Sequence, residues 1–98
     1  MQRKTISLDV EAVEKIIGDL SFMVTSLDRL GSAQLPKDVE MQWMHGFLRD
    51  GDVFRKLARI RTVISIALDE VFTEEEDEAM NERLERIKPW PLPFQKQK

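Results

Sequence analysis

This sequence predicts an all-α fold, a compact four-helix bundle with an extended proline-rich tail. Three observations point there. The apolar residues Val13, Ile16, Leu20, Met23, Leu27 and Leu30 step by 3, 4, 3, 4 and 3, a heptad-type stripe along one helix face. Val53, Leu57, Ile60, Ile64, Ala67 and Val71 repeat the pattern with steps of 4, 3, 4, 3 and 4. Thr73 followed by Glu76 has the spacing of a capping box, the clearest helix start in the chain.

The first helix is expected over 9–30. Asp9 can cap it, Leu8 and Val13 occupy the positions of a hydrophobic staple, and Glu11 and Glu14 lie near the positive end of the helix dipole. Ile17, Phe22 and Val24 widen its stripe beyond a coiled-coil seam, which suits a helix inside a bundle. Gly18 interrupts it, as a close neighbour would require, and Gly31 is the natural stop. The loop at 31–37 contains Pro36, which is compatible with a helix start but not with a helix continuing from upstream.

A second helix is expected over 38–50, capped by Asp38 and ended by Gly51, with Val39, Trp43, Met44, Phe47 and Leu48 on one broad face. The turn Asp50-Gly51-Asp52 leads into a third helix, 52–72, capped by Asp52. The first and third helices are expected to form the centre, because both carry long seams of similar length. A fourth helix over 74–88 has a narrow stripe of Met80, Leu84 and Ile87, and Pro89 ends it. Residues 1–7 read as an N-terminal arm. Residues 89–98 read as an extended tail in which prolines alternate with Trp90, Leu92 and Phe94. The 98 residues form one domain by size.

Composition narrows the function classes. The absence of cysteine excludes disulfides, thiolate nucleophiles and cysteine-based zinc sites, and fits a reducing cytoplasm. No apolar run approaches a membrane span or a signal peptide. Catalytic chemistry has little to use: one histidine, His45, with no carboxylate or histidine at i+3 or i+4, and no Gly-x-Ser-x-Gly turn. No catalytic residue, metal ligand or cofactor is therefore assigned.

The acidic run at 74–78 is the one metal-like pattern. Glu74-Glu75-x-x-Glu78 resembles the Glu-Glu-x-x-Glu pattern of all-α nucleotide pyrophosphohydrolases. That resemblance implies a Mg²⁺-dependent nucleotide hydrolase. The family continues with a Glu-x-x-Asp pair on the following helix, which this chain lacks, and a helix dipole by itself favours acid in a first turn.

Arg49, Arg55, Lys56, Arg59 and Arg61 place five of the fifteen basic residues within thirteen positions. With the preceding turn they could form a helix-turn-helix entering a DNA groove. A net charge of −3, and aspartates at positions 50 and 52 where phosphates would approach, weigh against nucleic acid as the partner.

The remaining features favour protein contacts. Trp43, Met44 and Phe47 form a soft aromatic and thioether cluster of the kind enriched at interface cores. Trp90, Leu92 and Phe94 stand on a stiff backbone that costs little entropy to order. The expected function is a small cytoplasmic, non-enzymatic protein of the inhibitor, immunity, antitoxin or adaptor type, binding another protein or itself as a homodimer. Those six residues are its contacts, with Arg55 and Arg59 as polar anchors. The alternatives are a DNA-binding regulator and the nucleotide hydrolase.

Overall fold

The computed structural model describes residues 4–93. They form four helices: α1 Val10–Ser32, α2 Lys37–Asp50, α3 Val53–Asp69 and α4 Glu74–Glu85. The all-α four-helix architecture stands as expected, and no strand occurs among the described residues. The ends differ in informative ways.

Gly31 does not stop α1. The helix runs on to Ser32, whose hydroxyl donates to the Asp28 carbonyl at 3.0 Å, and the left-handed residue beyond it is Gln34, with φ 51°. Asp38 does not cap α2, because the helix already begins at Lys37, behind Pro36. Proline fits that entry, since the first turn of a helix needs no donor from it.

Asp9 and Asp52 hold the N-cap positions of α1 and α3, yet neither carboxylate accepts a capping hydrogen bond. For Asp52 the cause is local. A capping side chain reaches back from extended backbone, whereas Asp52 is left-handed, with φ 55° and ψ 38°. Its carboxylate lies instead 3.7 Å from Arg55.

α3 ends at Asp69 and α4 at Glu85, each three residues short of expectation. At both ends tighter i→i+3 bonds close the last turn, Val71 to Leu68 and Ile87 to Leu84. The Thr73–Glu76 capping box is present as expected. The Glu76 amide donates to the Thr73 hydroxyl at 3.2 Å, and the Thr73 amide donates to the Glu76 carboxylate at 2.9 Å.

α1 and α2 both pack on α3. α1 and α3 run antiparallel: Ala12 lies beside Ile66 and Ala67, Asp19 pairs with Arg59, and Phe22 lies under Lys56. α4 is held at its start, where Lys4 pairs with Glu76 and donates to the Val71 carbonyl at 3.1 Å. Of its expected stripe Met80 is half-buried, while Leu84 and Ile87 are exposed. Three apolar residues on an otherwise polar helix give it too little to dock with.

The assembly is flatter than a compact bundle. Its radius of gyration is 17.8 Å, against about 13 Å for a compact domain of this length. It measures 53 × 42 × 23 Å. Among the described residues four apolar side chains are buried: Met23, Leu30, Val53 and Ala67.

The two heptad stripes are each split. Along α1, Met23 and Leu30 are 6% and 8% exposed, while Leu20 and Leu27 between and beside them are 38% and 44% exposed. Along α3, Val53 and Ala67 are buried and Ile60 half-buried, while Leu57 and Ile64 are exposed. From Ile16 to Leu30 in α1 and from Val53 to Ala67 in α3, covered and exposed members alternate, while Val13 and Val71 at the ends are half-buried.

Candidate protein-binding site

The aromatic cluster on α2 forms as its spacing suggests, and it recruits a residue from α1. Trp43 and Phe47 are one turn apart and stack with ring centroids 5.2 Å apart and planes 20° off parallel. Phe47 in turn meets Phe22 of α1, centroids 6.0 Å apart and tilted by 35°. This offset and tilted geometry suits the quadrupoles of the rings. Lys56 of α3 closes the far side. Its ammonium lies 4.9 Å from the Phe22 ring centre and donates to the Gly51 carbonyl at 2.8 Å.

Gly51 is required at this junction. A Cβ there would stand 2.5 Å from the Phe47 carbonyl oxygen and 3.3 Å from the Phe47 ring. The close approach of the turn to the ring brings α3 in beside Phe22. Gly18, by contrast, has no atom of the described chain within 4 Å of where its Cβ would be, so the close neighbour expected there is not found among the described residues.

Trp43 is half-buried and separates two open grooves between α1 and α2. One, about 340 Å³, lies against Arg29, Leu30, Ala33 and Leu35. The other, about 470 Å³, lies against Phe22, Gly46, Phe47 and Asp50. Asp50 is ion-paired with Arg49 at 3.0 Å. The hydrogen bond from Arg49 holds its carboxyl below the usual range and raises the guanidinium in return. Met44 is half-buried on the same helix.

The basic strip divides: Lys56 and Arg59 turn inward, whereas Arg49, Arg55 and Arg61 are exposed. Arg59 donates to Asp19 of α1 at 2.7 Å, and its Nε is buried with no hydrogen bond among the described residues. Lys56 is held by Gly51 and Phe22. Arg55 is well exposed, and Arg61 is exposed with no ion pair among the described residues. Arg59 is therefore an anchor between α1 and α3, and Arg55 is the member of the proposed pair that faces solvent.

Trp90 is 93% exposed and Leu92 partly so. Phe94 lies outside the described residues. His45 is exposed on α2. Among the described residues no group of three or more histidines and carboxylates is placed to hold a metal ion, and this includes Glu74, Glu75 and Glu78. No helix among them is long and apolar enough to cross a membrane.

Sequence reasoning did not place Phe22 in the α2 cluster. Phe22 flanks the α1 stripe and so reads as core. An aromatic just off the seam was the available signal. Comparison with family models, with curated proteins and with solved structures finds no match to this chain.

Proposed function

We propose that this chain acts by binding another protein in the cytoplasm and carries out no chemistry of its own. The observation that supports this is the balance of its apolar surface. Among the described residues eighteen large apolar side chains are exposed and four apolar side chains are buried. Exposed apolar residues are ordinary when scattered; contiguous ones mark association surfaces. Some of them, Phe22 and Leu48 among them, share elements with an aromatic cluster whose two grooves are open and include the charged Arg29 and Asp50. That is the layout of an interface, with an apolar centre and a polar rim. Trp43, Met44, Phe47 and Arg55 supply one part, and Trp90, Leu92 and Phe94 of the tail another.

The test is capture from host lysate with the full chain tagged at its N-terminus, at low salt, with and without nuclease. The expected result is a stoichiometric protein that survives nuclease and is lost with Trp90→Ala or Trp43→Leu. Capture of the bait alone, or of material that disappears with nuclease, overturns the reading. The second outcome would turn attention to Arg55 and Arg61.

A further inference from the structure

We infer that a second copy of this chain covers the outward faces of α1 and α3, so that the working core is a four-helix layer built from two chains. The inference rests on the reading of the protein as an association module and names the occupant of one surface.

Three observations carry it. The first is the split of both heptad stripes. In α1, Ile17, Leu20, Val24 and Leu27 are exposed at steps of 3, 4 and 3; in α3, Leu57 and Ile64 are exposed seven apart. A helix in a four-helix layer meets two neighbours, and alternate members of its seam serve each of them. Here α1 meets α3 along its length and α2 at Phe22, α3 meets both α1 and α2, and one set on each of α1 and α3 still stays open. Because α1 and α3 are antiparallel, their helical phases turn both open sets to the same side of the pair. A copy of that pair offers the same spacing in return.

The second observation is area. The chain exposes 8989 Å², against roughly 5,800 Å² for a compact monomer of 11.5 kDa. The exposed α4 accounts for part of the excess. The total excess, about 3,200 Å², leaves room for the roughly 1,000–2,500 Å² per partner of an obligate homodimer. No large side chain among the described residues is fully buried. A partner that completes so small a core must be present whenever the chain folds, which the same chain satisfies in constant proportion.

The third is charge. Glu14, Ser21 and Asp28 border the open row of α1 at seven-residue intervals, and Arg61 lies between Leu57 and Ile64 beside the open row of α3, without an ion pair among the described residues. Setting α1 of one copy against α3 of the other brings acid to base and separates like charges.

The test uses the purified full chain. Sedimentation equilibrium should give twice 11.5 kDa, and the melting temperature should rise with protein concentration. Because the chain has no cysteine, the thiol of Val24→Cys should react with a maleimide more slowly at concentrations where the dimer forms than on dilution, and that of Thr25→Cys, about a third of a turn away on the same helix, should react equally at both. Leu20→Glu should reduce the mass to that of a monomer or abolish folding. A monomer with a concentration-independent melting temperature overturns the inference. So does a dimer in which Val24→Cys is not protected, since it would join through another surface. If such a monomer still captures a distinct protein from lysate, the proposed function survives while this inference fails.

Discussion

The inward and outward halves of the two apolar stripes are nearly identical in sequence character, yet the fold treats them oppositely. Met23 and Leu30 have found neighbours within the chain, while Leu20 and Leu27 have not. Leucine and methionine at heptad spacing say that a helix face must be covered. They do not say by what. The contrast shows that an apolar stripe wider than one neighbour can cover is a statement about stoichiometry as much as about fold.

The most direct way to break this comparison is to truncate one residue from each half. Leu30→Ala should cost about 2–4 kcal/mol in chemical denaturation, the range for a buried leucine. Val24→Ala should cost less than about 0.5 kcal/mol if its face is open to water, and clearly more if a second chain covers it. Equal losses at high protein concentration that diverge on dilution would assign the outward half to association.

Gly51→Ala tests the junction that holds the inward half together. Its new methyl would press on the Phe47 carbonyl, and a shift of the turn should cost about 1–3 kcal/mol. It should also loosen the Phe22–Phe47 contact, read as altered tryptophan emission from Trp43, which stacks on Phe47.

Two substitutions should stabilise. Gly18→Ala meets nothing within the described chain and should add about 1 kcal/mol through helix propensity. A gain in stability with a loss of partner capture would show that a partner packs against Gly18. Gln34→Gly relieves a left-handed residue after α1 and should add about 1 kcal/mol.

The smallest expected effect is on pH dependence, at the edge of the molecule. The Lys4 ammonium, together with the Thr73 amide, holds the Glu76 carboxyl below its ordinary value. A carboxylate depressed in the folded state contributes stability above its unfolded pKa and loses that contribution as pH falls through the folded pKa. Acid should therefore release the start of α4 and the N-terminal arm before the α1–α3 contact. Amide exchange at Glu76 and Asp77 should show this, and Glu76→Gln should remove the acid dependence.

Much of the fold was legible because it is local. Helix positions follow from 3.6-residue periodicity, and the Thr73–Glu76 box involves residues three apart. Trp43 and Phe47 were recognisable as a cluster for the same reason, being one turn apart on α2. Phe22 joins them from 21 residues before Trp43, across a contact that no local pattern announces. The cap at Asp38 was misread because α2 starts one residue earlier, behind Pro36, and those at Asp9 and Asp52 because an N-cap position does not oblige the side chain to bond; Asp52 spends its left-handed conformation on turning the chain. Gly31 was misread as a stop because glycine permits a left-handed end without requiring one.

By itself, then, the sequence determined the number and type of elements, the α4 start and the existence of two long apolar seams, all of which arise from interactions within a few turns of one helix. Only the tertiary structure decided which half of each seam is covered and that Arg59 spends its charge on Asp19. It also decided that α4 stands off the bundle beyond Met80. Those outcomes depend on which helices meet and at what phase. A helix carrying apolar residues on two adjoining faces can satisfy either one, and the choice is made by the turn at Gly51 and the antiparallel register of α1 on α3.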